Sequence, residues 1–179
     1  AILYRYNANG YDLNRTFPDW PTQFSGTRFS GAPLRDENRP PEVAHMMRWS
    51  ASRSCVVSAN FHTGVRVVNY PYDDDDLGSV FSPSPDEDLF VYISRVYASL
   101  NPSISGNTQF APYGITNGAA WYSMNGGMQD WNYRYLGGNE VTIELSDAYA
   151  PTESQLPAFW EANREAMLAY METAHIGVR

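Results

Sequence analysis

Glu140-Val-Thr-Ile-Glu-Leu-Ser146 alternates polar and apolar side chains and carries β-branched residues at Val141, Thr142 and Ile143, so it reads as a β-strand. Working outward, Cys55-Val-Val-Ser-Ala-Asn-Phe61 reads as a second, buried strand, and Val65–Tyr72 as a third β-rich run. Downstream, Phe159, Trp160, Asn163, Met167, Tyr170 and Met171 recur at helical spacing, which predicts a helix over 157–175. A helix over 86–100 starts at Ser84-Pro85-Asp86 and stops at Asn101-Pro102. Another opens at Pro40-Pro41, where proline is tolerated in the first turn, with Val43, Met46, Met47 and Ser50 on one face and Glu42 near its N-terminus. Helices interleaved with apolar strands predict an α/β domain: a mixed, mostly parallel sheet flanked and largely covered by helices. At 179 residues the chain reads as a single domain. Residues 1–40 and 103–139 read as structured loops, the kind of segment that often carries function, and Asp73–Asp76 as an acidic turn.

Acidic residues outnumber basic ones by 20 to 12, a formal net charge of −8, which argues against a nucleic-acid or anionic-membrane partner. No apolar run reaches membrane-spanning length. The single cysteine, Cys55, excludes an internal disulfide and is expected to pack as a small hydrophobe. The chain opens at Ala1 in mid-pattern, as a fragment would.

A few residues suit chemistry. His62 leaves the 55–61 strand into Thr63-Gly64, a position from which a neutral imidazole can reach a metal, although a hydrogen-bonded structural histidine is the plainer alternative. Glu144 is a carboxylate inside an otherwise core-like strand. It must be partnered, bind a cation or face a cavity, as a buried ion pair or as a general base. Arg5, Asn14 and Arg15 lie in a Gly/Asn-rich segment. Two guanidiniums and an amide suit a carboxylate, though surface arginines in loops are common. Tyr122 stands close to the double glycine Gly126-Gly127 on a long loop, where it can either swing or pack.

Four stretches in order resemble the zinc metallocarboxypeptidases, most closely their carboxypeptidase N/E branch: NANGYDLNRTFPD (7–19), NFHTGVRVVNYPYD (60–73), WYSMNGGMQDWNY (121–133) and VTIELS (141–146). The closing AHIGVR (174–179) resembles the family's junction into an accessory β-sandwich, which this sequence does not include. The resemblance implies the carboxypeptidase-like α/β fold and hydrolysis of C-terminal peptide bonds by a zinc-bound water. It implies that His62 ligates zinc, Arg5 polarises the scissile carbonyl, and Asn14 and Arg15 hold the substrate's terminal carboxylate. Tyr122 would close over the C-terminal residue, and Glu144 would act as general base. Asp73 and Gln129 match pocket-floor positions, which implies a preference for C-terminal Arg or Lys. The implied partners are peptide or protein C-termini, in a secreted or periplasmic setting.

The sequence departs from the family in its metal ligands. The family's first two are a His and a Glu in an HxxE pattern upstream of the Asn-Arg segment. Here the residues three places after the histidines are Arg48, Val65 and Val178. Two zinc ligands are therefore expected outside this chain, on a preceding segment or a companion chain. A truncated inactive product and a non-catalytic binder of peptide C-termini are the other readings. A bacterial cell-wall γ-glutamyl peptidase is a further alternative, disfavoured by GGMQDWNY. Arg66 departs from the branch's usual glycine-rich stretch and bears on the pocket's charge.

Overall fold

The computed structural model describes residues 5–19 and 39–175; the 176–179 part of the AHIGVR junction and the 20–38 part of the first loop lie outside them. In chain order the regular elements are α1 (Pro41–Ala51), β1 (Val57–His62), β2 (Arg66–Tyr70), α2 (Glu87–Ser99), α3 (Pro102–Ser105), β3 (Ile115–Asn117), α4 (Gly118–Trp121), α5 (Met128–Trp131), β4 (Asn139–Leu145) and α6 (Leu156–Glu172). The strands form one sheet in the order β1-β4-β2-β3. β1 runs parallel to β4 and β2 parallel to β3, while β2 and β4 are antiparallel, so the sheet is mixed, as expected.

EVTIELS sits at the centre. β4 is buried along its length except for half-buried Leu145. Its odd-numbered Val141 and Ile143 join Val68 and Tyr70 of β2 in the main core, against Phe90, Ile93 and Tyr97 of α2, Ile104 of α3, and Ala166 and Tyr170 of α6. Its even-numbered Glu140, Thr142 and Glu144 take the other face, because side chains alternate along a strand.

The local signals explain most boundaries. Asn101 ends α2 and caps α3, its side-chain oxygen accepting the Ser103 and Ile104 N–H groups, with Pro102 in the first turn. Asn117 caps α4 in the same way, accepting from Ala120. α5 runs on into a π-helical turn, Asn132–Leu136, closed by Gly137 in the left-handed region at φ 70°.

Several expectations are corrected. β1 is half-buried rather than buried, with Phe61 47% exposed, because it lies at the edge of the described sheet. Cys55 precedes the strand and is exposed, so it does not pack as a hydrophobe. The region 103–139 contains β3 and short helices rather than loop alone. Asp73 and Asp74 of the acidic turn are buried. On α6 the buried face is Asn163, Ala166 and Tyr170, whereas Trp160 and Met171 face solvent. Asn163 is tolerated there because its polar atoms are matched: Oδ1 accepts from the Tyr97 hydroxyl at 2.7 Å and from Asn101 at 2.8 Å, and Nδ2 donates to the Phe159 carbonyl.

Candidate active site

The polar face of the sheet builds the site. Ser58, Asn60 and His62 of β1 lie in register beside Glu140, Thr142 and Glu144 of β4. His62 and Glu144 are thus neighbours at the carboxyl ends of two parallel strands, a position where open α/β sheets commonly bind ligands.

A second core holds the N-terminal segment over this face. Phe17, Val43, Met47 and Trp131 form it, with the Phe17 and Trp131 rings 5.5 Å apart. Asp12 shapes the turn above. Its carboxylate accepts the Asn14 N–H at 3.1 Å, capping a 3-10 turn over Leu13–Arg15, and it pairs with the Arg5 guanidinium. The Asn14 side chain then spans the cleft: Nδ2 lies 3.5 Å from His62 Nε2, and Oδ1 accepts the Met128 N–H at 2.9 Å. Arg15 Nη1 donates to the Asn14 carbonyl, and the Arg15 charge favours ionisation of the Tyr122 hydroxyl, which burial holds above its ordinary range. An apolar cleft of about 240 Å³ opens beside Asn14 and His62, lined also by Leu13, Phe17, Met46 and Met128.

The Tyr122 loop is hydrogen-bonded along its course. Ser123 donates to Asp74, Met124 N–H to the Asp73 carbonyl, and Asn125 to Asp19 and Asp74. Phe17 N–H donates to the Gly126 carbonyl, which ties this loop to the Asn14–Arg15 turn. Gly126 is required there: φ is +73°, and a Cβ would lie 2.6 Å from the Arg15 carbonyl oxygen.

Electrostatics separate the groups. Burial pushes the Glu144 carboxyl up to about 7, against the opposing pull of Arg5 and Arg15. Among the described residues, Glu144 Oε2 is buried with no hydrogen-bond partner. Burial holds the His62 imidazole below its ordinary range, reinforced by Arg5 and Arg15, so it is neutral near pH 7.

Arg5, Asn14, Arg15, His62, Tyr122 and Glu144 therefore converge. Asp73 and Gln129 sit deeper, 2% and 1% exposed. Gln129 is not an open pocket floor: its Nε2 donates to Asp73 Oδ1 at 2.8 Å and to Asn69 Oδ1, and its Oε1 accepts from the Thr142 hydroxyl. Asp73 Oδ1 lies where a Gly118 Cβ would be, at 1.9 Å, and Oδ2 would be 3.1 Å from a Gly127 Cβ. Arg66 pairs with Asp147 at 2.9 Å and donates to the Ser103 carbonyl. By strand alternation it sits on the face opposite Asn69 and leaves the pocket charge alone.

Sequence reasoning missed Asn69, Thr142, Asp130 and Glu140. Asp130 accepts the backbone N–H groups of Asp73 and Asp74. Glu140 accepts from Ser58 and Asn60 at 2.8 Å and from Asn132. The two-residue spacing of Glu140, Thr142 and Glu144 was the available signal, since it puts all three on one face.

A catalytic zinc site takes three protein ligands. No group of three His, Cys, Asp or Glu among the described residues could hold a metal ion. His62 offers one neutral imidazole, so the described residues do not by themselves fit zinc.

Among known proteins, residues 3–166 match the zinc carboxypeptidase family model. The chain is 41% identical to human carboxypeptidase D across all of its own length and 13% of the relative's. It is 39% identical to carboxypeptidase E of Caenorhabditis elegans, covering 98% of the chain and 42% of the relative. It is 38% identical to the catalytic chain of mouse carboxypeptidase N, covering 99% and 43%. The chain thus spans less than half the length of these relatives. Its fold resembles the solved structure of carboxypeptidase A from Helicoverpa armigera, with a TM-score of 0.69 at 16% identity over 92% of this chain and 42% of that one. A likeness that runs from the Asn14–Arg15 turn through β4 into α6, in sequence and in backbone, leads to one conclusion: the chain belongs to the zinc carboxypeptidase family.

Proposed function

We propose that this chain carries the substrate-binding and general-base groups of a metallocarboxypeptidase that removes C-terminal residues, with a preference for Arg and Lys. One observation carries the reading. Glu144 holds a buried, unpartnered oxygen at the strand ends, beside His62 and within the fields of Arg5 and Arg15. A carboxylate in that state is poised to take a proton from an attacking water, because no donor among the described residues competes for that oxygen.

The remaining roles follow from residue type. Asn14 and Arg15 offer amide and guanidinium donors that a free terminal carboxylate satisfies. An internal peptide bond would leave them unpaired, which penalises endopeptidase binding. Arg5, whose charge acts on Glu144, stabilises negative charge developing on the scissile carbonyl oxygen. Tyr122, 37% exposed with its ring at 4.7 Å from Trp121, feels the charges of Arg15, Asp73 and Glu144 and would close over the C-terminal residue. Asp73 is the carboxylate assigned to a cationic side chain, and it packs directly against Gly118 and Gly127, where any larger residue would collide with its oxygens. His62 is the described residue suited to zinc.

Hydrolysis of peptides that differ only in a C-terminal Arg or Phe tests the reading in the full-length protein. The Arg peptide is expected to turn over faster; faster turnover of the Phe peptide would overturn the assigned preference.

A further inference from the structure

A continuous row of polar side chains crosses the sheet beneath the site. Asn60, Thr142 and Asn69 lie side by side on β1, β4 and β2, paired in register. The shortest hydrogen bonds in the row run in one sense, and the Thr142 hydroxyl has Asn60 Oδ1, at 3.4 Å, as a longer second acceptor. The Glu140 carboxylate can only accept, so Asn60 turns its amino group toward it, at 2.8 Å. The same amino group donates to Thr142 Oγ1 at 3.1 Å. The Thr142 hydroxyl donates onward to Gln129 Oε1 at 2.9 Å. Gln129 must then present its amino group to Asp73 Oδ1, at 2.8 Å, where Asn69 Nδ2 also donates at 3.2 Å.

We infer that Thr142 is a positioning residue for substrate selection: its hydroxyl locks the Gln129 amide so that Asp73 receives a donor and keeps an anionic oxygen for a basic C-terminal side chain. The inference rests on the exopeptidase reading above and extends it to a residue that touches no substrate. An amide can flip, and the flipped Gln129 would set Oε1 against Asp73 and disfavour the anion. The hydroxyl of Thr142 opposes that flip: Gln129 Nε2 would meet Oγ1 beside the Asn60 amino group already bonded there, and the Thr142 proton would trade its 2.9 Å acceptor for Asn60 Oδ1 at 3.4 Å. Burial already pushes the Asp73 carboxyl up, and the charge of Glu140 pushes the same way; the Asp73 charge in turn raises neighbouring Asp130. Arg15, Asn69 and Gln129 oppose them. Tyr122 also faces Asp73 and is itself held up partly by that carboxylate. The Gln129 amide is one of the three groups that favour the anion, so its orientation bears on how far Asp73 stays ionised near neutral pH.

The test uses the full-length protein with two peptides that differ only in a C-terminal Arg or Leu, assayed from pH 5.5 to 8.5. Thr142→Val keeps the shape and removes the donor. It is expected to raise KM for the Arg peptide roughly tenfold, the scale of one lost hydrogen bond, with kcat little changed. The pH at which the Arg preference sets in should move upward. Thr142→Ser should restore both. In a Gln129→Met background, Thr142→Val should add nothing further, because its effect runs through that amide. Should Thr142→Val fail to fold, Gln129→Met alone must reproduce the KM and pH changes. Equal losses on both peptides, an unmoved pH profile, or additive effects in the double variant overturn the inference while leaving the exopeptidase reading intact. An unaltered protein that cleaves neither peptide overturns both.

Discussion

Replacing Glu144 by Gln should make this protein more stable and nearly inactive at the same time. A carboxyl with an ordinary value of 4.5 and a folded-state value of about 7 costs the fold about 3 kcal/mol once ionised, at about 1.4 kcal/mol per pH unit. The sign follows from proton counting. Between these two values the native state holds a proton that the unfolded chain has released, so stability falls as pH rises through the window. Below about 4.5 the cost is absent, and above about 7 it is complete. The amide that Glu144→Gln puts in its place has no such titration. The assay is a pair of thermal melts by circular dichroism at pH 5 and pH 8, both in EDTA so that no bound metal adds to either. The variant's advantage should be small at pH 5 and grow by roughly 5–10 °C in Tm at pH 8, on the scaling for a domain of this size. In the active full-length protein the same substitution should cut kcat by about 10²–10⁴, the usual worth of a positioned general base. An advantage that does not change with pH would refute the account of Glu144 as a desolvated, unpartnered carboxyl. Unchanged turnover would refute its role as the base.

Three further outcomes follow from particular contacts. Asp73→Asn should lower the Arg-over-Leu ratio of kcat/KM by about 10- to 100-fold, the worth of a hydrogen bond to a charged group, measured by competing two peptides in one reaction. Gly126→Ala should cost about 1–2 kcal/mol of left-handed backbone strain and displace the Arg15 carbonyl, so KM rises for every peptide, Arg- or Leu-ended, in steady-state kinetics. Trp131→Ala should lose about 3–5 kcal/mol in urea unfolding, because it opens the small core that seats the Asn14–Arg15 turn.

Much of the fold can be read from residue patterns where one force dominates. EVTIELS is unambiguous because alternation and β-branching agree, and the central position of β4 follows from it. The spacing of Pro102 after Asn101 marks the end of α2 because one residue caps and the next cannot continue. Patterns misled where hydrophobicity and packing part company. On α6, Trp160 and Met171 draw the eye by size, yet the helix packs through small Ala166 and through Asn163, whose amide is fully matched by Tyr97, Asn101 and Phe159. Phe61 is apolar but lies on an edge strand. β3 spans three residues, Ile-Thr-Asn, too short for periodicity to register.

The site was legible as a set of residue types and motif matches, and less so as a geometry. His62, Glu144 and Asn14 could be matched singly, but their convergence depends on the register of β1 against β4 and on Asp12 capping the preceding turn. Gln129 shows this most clearly: the family resemblance implies a place near the pocket floor, and the structure has it buried and hydrogen-bonded to Asp73, Asn69 and Thr142. Long-range hydrogen bonds of this kind leave no trace in local sequence.

The central claim is that Asn14 and Arg15 reserve this cleft for a free C-terminus. One measurement addresses it: incubate the full-length protein with two peptides identical except that one ends in Arg with a free carboxylate and the other in Arg amide, and follow the products by mass spectrometry. The account predicts loss of a single Arg from the free acid and no cleavage of the amide. Equal release from both, or cutting at internal bonds, would contradict it.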